Sequence, residues 1–259
     1  MLITLSIIST GGKSYPKTGS SGDGYKFARN LGLKITTATP ALTPVYIKDF
    51  PYKNLRGISL NQCNVSLWRN NRKVRDHRGD IGFTHFGLSG PGILDFSRYL
   101  IAGDEIRLEL INLRPEELLR VIRQSTTENG KMILKTFLRS FELPDRLRDA
   151  VLSNIDIDAN SRLADLNRTG ISKICSTFTG LPLIIERKGD YNVAMVTSGG
   201  VALSEIIPST MQSRKVSGLY FAGEVADIDG DSGGYNLQAA FSTAFSAARS
   251  INKNNSMIS

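Results

Sequence analysis

The sequence predicts an α/β fold that carries two inserts, one β-barrel-like and one small and helical. Near the carboxyl end, the apolar run Leu219 to Ala222 is followed by a glycine-containing loop and by helical spacing of apolar residues from Tyr235 onward. Residues 45–113 contain short apolar or alternating runs between turn signals, which is typical of small barrels and sandwiches. Residues 114–169 have helical spacing instead.

Length and composition indicate a globular protein. The chain has 259 residues, of which 41% are hydrophobic and 22% are charged, enough for one large or two ordinary domains. No apolar run approaches the roughly 20 residues that span a bilayer, and the opening residues lack the basic start of a signal peptide. Cys63 and Cys175 fit no metal or redox spacing. We therefore expect reduced thiols, a cytoplasmic location and no membrane partner.

The excess of basic residues lies in the first part of the chain. Residues 1–97 hold 13 Lys and Arg against 5 Asp and Glu, which accounts for the net charge of +8. The densest run extends from Arg69 to Asp80, but only Trp68 lies near it, and Asn70-Asn71 is typical of a hairpin turn. Nucleic-acid-binding surfaces combine such charge with aromatic residues or a recognisable module. We interpret the run as a solvated hairpin and expect no nucleic-acid partner.

The elements before the inserts are short. An apolar strand is predicted over Leu2 to Ile8, and it ends at Thr10-Gly11-Gly12, where paired glycines let a ligand approach the backbone. A helix over Tyr25 to Arg29 is stopped by Gly32. Pro40 and the residues after it mark the boundary of the β-rich insert.

The remaining predicted elements belong to the helical insert and to the closing segment of the main domain. Helices are predicted around residues 115–122, 132–141 and 145–151, and a fourth is expected to start within Ser161 to Leu166. Strand character returns over Leu181 to Glu186 and over Tyr191 to Val196, where Ser198-Gly199-Gly200 ends the second strand. The predicted segments are 1–39 and 191–259 for the main domain, 40–113 and 171–190 for the β insert, and 114–170 for the helical insert.

The strand, loop and helix from Gly218 to Gln238 predict a ligand pocket at the carboxyl end of a strand. The N–H groups in the first turn of a helix have no intrahelical partner and offer partial positive charge to an anionic group. Such a pocket suits the N1–C2=O edge of a flavin, which becomes negative on reduction. Gly233 and Gly234 would let the chain pass under a flat ring.

Four stretches resemble a bacterial family of FAD-dependent oxidoreductases that includes flavoproteins similar to aminoacetone oxidase and bile-acid dienone reductases. They are TGGKSYPKTGSSGDGYKFARNLG from Thr10, FTHFGLSGPGIL from Phe83, VTSGGVALSEI from Val196 and GLYFAGEVADIDGDSGGYNLQAAFSTA from Gly218. Their order matches the family over nearly the whole chain. The resemblance implies a two-domain NAD(P)/FAD-dependent enzyme with a Rossmann-like FAD domain, in which a hydride passes through the flavin to a small-molecule substrate.

The resemblance also implies which residues bind FAD. The predicted cofactor-binding residues are Thr10, Gly11, Gly12, Gly223, Glu224, Asp231, Gly233, Gly234, Tyr235, Asn236 and Leu237. Glu224 takes the place of the acid that hydrogen-bonds the ribityl chain in related flavoproteins. The sequence identifies no catalytic acid or base: Tyr15 and Tyr235 accompany the glycine loops, and His85 fits a packed structural residue better than a proton donor.

A calcium site is not expected. Asp227, Asp229 and Asp231 alternate as in a calcium-binding loop, but Ser232 replaces the glycine at the sixth position and Gln238 replaces the glutamate at the twelfth. The sequence therefore predicts no metal.

The chain departs from the family at its start. Family members open with strand, G-x-G-x-x-G and helix, whereas here Gly22-Asp23-Gly24 is followed by Phe27 in place of the third glycine. We expect a carboxyl-terminal portion of the flavoprotein, colourless when purified alone, with an apolar face open where the FAD domain is incomplete. The alternative is a non-catalytic remnant, or a half that depends on a separate N-terminal segment carrying G-x-G-x-x-G.

Overall fold

A computed structural model of the chain describes residues 5–256, with side chains up to Lys253. The described chain forms two compact units: the first joins the residues up to Pro44 with those from Gly189 onward, and the second extends from Val45 to Lys188. Each unit has its own hydrophobic core. Residues 2–4 of the predicted first strand lie outside the described residues.

The first unit is built on two small sheets. The strands are β1 Ser6–Ile8, β2 Ile35–Ala41, β9 Val196–Val201, β10 Ile206–Ile207, β11 Gln212–Ser213 and β12 Leu219–Phe221. The four-stranded sheet has the order β1-β12-β11-β10, and the two-stranded sheet pairs β2 with β9 in antiparallel fashion. The helices are α1 Asp23–Asn30 and α7 Tyr235–Ser256. Strands β1 and β12 are parallel, and among the described residues β1 has a strand neighbour on one side only.

The strand predicted over Tyr191 to Val196 lies further along the chain than expected. Residues 191–195 are outside any strand, and β9 begins at Val196 and continues through Gly199 and Gly200. These glycines have φ of 96° and 144° and face the register shift of β2 between Thr36 and Thr39. A side chain at Gly199 would collide with the carbonyl group of Thr37. The glycine pair therefore forms an irregular strand interior instead of a strand end.

The second unit contains a closed barrel of six strands. The strands are β3 Val45–Ile47, β4 Ser59–Arg69, β5 Arg72–Phe83, β6 Gly87–Ser89, β7 Glu105–Glu109 and β8 Leu181–Lys188, and their order around the barrel is β3-β6-β5-β4-β7-β8. Alternate side chains of β4, including Val65 and Leu67, are buried in the core together with Ile81 of β5 and Ile106 of β7.

The helices of the second unit share the core of the barrel. They are α2 Pro91–Leu94, α3 Pro115–Asn129, α4 Leu134–Arg139, α5 Asp145–Asn154 and α6 Arg168–Phe178. The expected helix start within Ser161 to Leu166 is wrong, because only a single 3-10 turn forms there, over Leu163–Asp165. Helix α6 begins after Asn167, whose side-chain oxygen accepts a hydrogen bond from the N–H of Gly170 at 2.7 Å.

The fold is thus mixed α/β, as predicted from the sequence. Cys63 and Cys175 are free and buried. Within residues 5–256, no helix combines the length and the apolar composition needed to cross a bilayer.

Candidate functional site

The predicted strand–loop–helix is present at the end of β12. The strand is fully buried and leads into Gly223, which has φ of 77°. The N–H of Gly223 donates to the hydroxyl of Thr243 at 2.9 Å, so the strand end is fixed to α7. Gly233 and Gly234, with φ of 108° and 94°, then turn the chain into the helix. Only glycine adopts two consecutive conformations of this kind without strain.

A cavity of about 400 Å³ lies at this turn. It is lined by Leu42, Met195, Val196, Gly223, Glu224, Ile228, Asp231, Ser232, Gly233, Gly234, Asn236, Leu237, Ala239, Ala240 and Thr243. Its volume is within the range of about 300–1,000 Å³ that is usual for small-molecule sites. Among the described residues other than Gly234 and its two chain neighbours, no atom lies within 4 Å of the position that a β-carbon at Gly234 would occupy, so the glycine turn borders open space.

The start of α7 offers hydrogen-bond donors beside this cavity. The N–H of Gln238 donates to the carbonyl of Gly234 at 3.0 Å, which closes the first turn of the helix. By helical geometry, the N–H groups of Tyr235, Asn236 and Leu237 therefore have no partner within α7. Together with the helix dipole they favour an anionic atom near the glycine turn.

Glu224 contributes a half-buried carboxyl group to the lining of the same cavity. Burial raises the pKa of this carboxyl, while hydrogen bonds from the N–H groups of Thr197 and Gly12 act in the opposite direction. Because these donors orient the carboxyl, Glu224 is a fixed acceptor for a hydroxyl group of a ligand.

Thr197 joins the three parts of the first unit that surround Glu224. Its N–H donates to the Glu224 carboxylate, and its hydroxyl oxygen accepts from the N–H of Lys13 at 2.7 Å and from that of Ser14 at 3.2 Å. Thr197 is 1% exposed. A side chain at Gly12 would collide with the Thr197 hydroxyl and approach the Glu224 carboxyl carbon to 2.9 Å, so only glycine fits there.

The structure brings most of the predicted cofactor-binding residues to one place. Gly223, Glu224, Asp231, Gly233, Gly234, Asn236 and Leu237 all line the cavity. Thr10, Gly11, Gly12 and Tyr235 are not part of that lining, although Gly12 reaches Glu224 through its N–H. The side-chain amide of Asn236 accepts from the N–H of Gly230 at 2.8 Å and donates to its carbonyl at 3.0 Å, so the side chain stabilises the loop. The backbone N–H of Asn236 is the group that could bind a ligand.

The side chains of the other candidates from the sequence are not among those that line this cavity. Tyr15 has φ of 53° and is 49% exposed, and Tyr235 is 65% exposed. His85, in the second unit, is exposed and contacts the edge of the Phe86 ring at 4.9 Å. Within residues 5–256 no three His, Cys, Asp or Glu side chains are grouped as metal ligands, and this includes Asp227 and Asp229.

Sequence reasoning missed Thr197 and Thr243. Thr197 lies inside a stretch that resembles the family, but its partners Lys13 and Ser14 are 184 and 183 residues away. Thr243 is one of several small residues in α7, and nothing in its local pattern distinguishes it. The hydroxyl oxygens of both residues accept hydrogen bonds from backbone N–H groups, and the sequence does not show such partners.

The residues present fit the ring and ribityl portion of a flavin. Donors at the start of α7 suit an edge that becomes anionic, the glycine pair allows a flat ring to lie close to the backbone, and Glu224 can accept from a hydroxyl group.

Comparison with known proteins identifies the family of the chain. The family model described as HI0933-like protein Rossmann domain matches residues 2–250. The chain is 33% identical over 246 residues to a ribosomal RNA dihydrouridine synthase of Escherichia coli, covering 95% of this chain and 60% of the relative. It is 31% identical over 250 residues to the Haemophilus influenzae protein of the same name, covering 95% and 60%.

A third relative is a 3-dehydro-bile acid delta(4,6)-reductase of Clostridium scindens, 29% identical over 250 residues, with 94% of this chain and 61% of the relative covered. The chain thus spans about 60% of the length of these relatives. The resemblance predicted from the four sequence stretches is confirmed at the level of the family. The chain belongs to the HI0933-like Rossmann domain family.

Proposed function

We propose that this chain contributes the flavin-ring site of an FAD-dependent reductase. The observation that carries the proposal is the shared cavity of Glu224, the Gly233-Gly234 turn and the start of α7. Bound FAD, reduced by NAD(P)H, would supply the hydride. The chain's own residues would hold the ring, orient the ribityl hydroxyls through Glu224 and favour negative charge at the ring edge by about 0.3–2 kcal/mol.

The names of the relatives suggest a common substrate chemistry. Formation of dihydrouridine saturates a carbon–carbon double bond conjugated to a carbonyl, and the 4,6-double bonds of a 3-oxo steroid are conjugated in the same way. We therefore propose that the substrate of this protein is an alkene conjugated to a carbonyl group. Hydride would add to the β-carbon and a proton to the α-carbon, so the alkene is reduced by two electrons.

A cytoplasmic location belongs to the same proposal. The free, buried thiols of Cys63 and Cys175 support a reducing compartment.

A partner segment is the second part of the proposal. Leu237, Phe241 and Phe245 of α7 are 67%, 72% and 67% exposed and form one stripe at a spacing of four residues. Ile7 of β1 is 47% exposed on a strand with one described neighbour. A separate segment with strand, G-x-G-x-x-G and helix would cover such apolar surface and bind the FAD pyrophosphate. The alternative is a non-catalytic remnant.

The test compares this chain alone and co-expressed with a segment that supplies strand, G-x-G-x-x-G and helix. We expect the chain alone to be colourless, and the co-purified pair to show flavin absorbance and to oxidise NAD(P)H with a 4,6-dien-3-one steroid or a uridine-containing RNA. A Gly234→Val pair should lose flavin, whereas a Ser232→Ala pair should keep it. A pair that assembles without flavin contradicts the proposed function, and failure of any such segment to restore flavin supports the remnant.

A further inference from the structure

Outside the flavin site, the most distinctive surface is the tip of the hairpin formed by β4 and β5, which we call the basic hairpin and define as residues 69–78. The second unit carries 23 Lys and Arg against 17 Asp and Glu, a net charge of +6, whereas the first unit has 9 against 7. The basic hairpin holds five of these cations, at Arg69, Arg72, Lys73, Arg75 and Arg78, with Asp76 as its acid.

The basic hairpin is exposed on both of its faces. Strands of the barrel normally bury alternate side chains, but residues 70–76 are all exposed. Asn70 and Asn71 have φ of 51° and 60°, which gives the tight turn that joins the strands. Val74 is 52% exposed as well. The tip therefore extends beyond the packed part of the barrel and presents its cations to solvent.

Two cations of the hairpin are already used by the fold, and one of them, Arg78, donates through Nε to the carbonyl of Gln62 at 3.0 Å. The guanidinium of Arg69 donates to both carboxylate oxygens of Asp104, at 2.7 and 2.8 Å, and to the carbonyl of Tyr99 at 3.1 Å. The Asp104 side chain is 2% exposed, so Arg69 neutralises a buried charge. Arg72, Lys73 and Arg75 are exposed cations that could meet a partner, and Lys73 forms an ion pair with the exposed Asp76 across 3.3 Å.

An aromatic platform lies beside these cations. The guanidinium of Arg75 lies 3.9 Å from the centre of the Tyr99 ring, and Tyr99 is 38% exposed. A stacked guanidinium and phenol ring is the kind of surface on which an unpaired base stacks. Tyr99 is 24 positions from Arg75 in the sequence, which is why the charge run alone predicted no such surface.

Polar cavities follow the base of the same hairpin. Asn64, Arg78 and Glu109 line both a cavity of about 470 Å³ and a smaller one of about 270 Å³. The Nδ2 of Asn64 donates to Glu109 at 2.8 Å. Amide, guanidinium and carboxylate groups are the side chains that hydrogen-bond the edges of unpaired bases.

We propose that the basic hairpin and the adjacent polar cavities form a binding surface for single-stranded or looped RNA. The proposal rests on the RNA branch of the proposed function, because two relatives are named as ribosomal RNA dihydrouridine synthases. It replaces the sequence-based expectation of no nucleic-acid partner. Phosphates contact Arg72, Lys73 and Arg75, a base stacks on Tyr99, and the polar cavities accept neighbouring bases.

The test measures binding of a fluorescein-labelled RNA hairpin with a uridine-rich loop by anisotropy, between about 50 and 200 mM salt. The variant is Arg72→Gln, Lys73→Gln, Arg75→Gln, with Arg69 retained to protect the fold. The matched control removes three cations of the first unit, in Lys17→Gln, Lys26→Gln, Arg29→Gln.

We expect the hairpin variant to lose about 10- to 100-fold in affinity and about 2 in the slope of log affinity against log salt, because each phosphate contact contributes about 0.7 for single strands. Tyr99→Leu should weaken binding without changing the slope, since it removes stacking and no charge. The control should change affinity less than about 2-fold.

Three results would overturn the proposal. They are equal losses in variant and control, no binding of RNA by the unmodified chain, and equally tight binding of a polyglutamate peptide in competition with RNA. This experiment needs no flavin. Hairpin-dependent RNA binding by a co-purified pair that holds flavin but reduces neither substrate would support the surface and refute the proposed function. Steroid reduction by a pair that binds no RNA would support the proposed function and refute the surface.

Discussion

Thr197 shows how a single hydroxyl can organise the candidate flavin site. Its oxygen is the acceptor for two backbone N–H groups, those of Lys13 and Ser14, which follow the glycine pair at the end of β1. Its own N–H holds the Glu224 carboxylate. The glycine loop and the acid therefore share one support, and the position of Glu224 depends on a residue that touches no predicted ligand atom.

Thr197→Val tests this support. Valine keeps the shape and the backbone N–H of threonine but leaves the donors of Lys13 and Ser14 without their acceptor, so we expect the free energy of unfolding to fall by about 1–3 kcal/mol. Thr197→Ser should restore most of the loss. Urea unfolding measures both variants. Equal stability of Thr197→Val and the unmodified chain would show that these hydrogen bonds contribute nothing.

The raised pKa of Glu224 predicts a pH dependence with a definite sign. Because burial raises this pKa above its ordinary value of 4.5, the unfolded chain loses the proton at lower pH than the folded chain does. The contribution of Glu224 to stability is therefore most favourable when it is protonated, and it falls as the pH rises from about 4.5 through the folded-state pKa.

Glu224→Gln isolates this effect because glutamine keeps an acceptor oxygen and cannot ionise. We expect the stability of the variant, relative to the unmodified chain, to be greater at pH 7 than near pH 4.5. Urea unfolding at several pH values gives the difference, in which the other titrating groups cancel. A difference that is constant over this range would contradict the pKa shift.

Some residues of the candidate site could be predicted from the sequence and others could not. Glu224, Gly233 and Gly234 were predictable because they lie together after one buried strand. Thr197 was not predictable, because its role depends on partners more than 180 positions away in the chain.

At the scale of elements, α7 exposes its large apolar side chains. Its spacing predicted a helix, and the structure exposes Leu237, Phe241 and Phe245 on that helix while it buries Thr243 and Ala247. The periodicity identified the helix correctly and could not show which side packs, because alanine and threonine also make a close-packed face against a strand.

Replacing the exposed stripe tests whether it stabilises the chain or serves a partner. Because the three side chains are mostly in solvent, Leu237→Gln, Phe241→Gln, Phe245→Gln should change the free energy of unfolding by roughly 0.5 kcal/mol per substitution or less. It should lower the binding of a hydrophobic dye and prevent co-purification with the G-x-G-x-x-G segment. Ala247→Leu is the matched control, since overpacking a fully buried site costs about 1–3 kcal/mol.

A contrary pattern would be clear. If the triple variant unfolds at much lower urea than the unmodified chain, the stripe is part of the chain's own core. If it co-purifies with the segment as well as before, the stripe is not the docking surface.

The sequence predicted the positions of helices in the second unit better than the strand positions in the first unit. Helices α3 to α5 follow apolar spacing and start at Pro115, Leu134 and Asp145, close to the predicted positions. The start of α6 was misplaced because Asn167, its N-cap, looks like any loop residue until its contact with Gly170 is known. In the first unit, Gly199 and Gly200 looked like a strand end, since a glycine pair in an irregular strand has the same composition.

At the scale of the whole molecule, the two units have separate hydrophobic cores of different size. The core of the second unit includes the barrel and its helices, whereas that of the first unit is built from few residues around Tyr220 and Phe221. The first unit also has a strand with one described neighbour and an exposed helix stripe. Its stability should therefore be the lower of the two.

Unfolding of the chain should consequently depend on the probe. Trp68, the single tryptophan, lies in the second unit and reports on the barrel, whereas far-UV circular dichroism reports on both units, including the 22 residues of α7. We expect the dichroism signal to begin to change at lower urea than the Trp68 fluorescence. As a control, Trp68→Phe, Tyr191→Trp moves the reporter to a half-buried position of the first unit and should follow the earlier transition. Coincident curves from both reporters would mean that the two cores unfold as one cooperative unit.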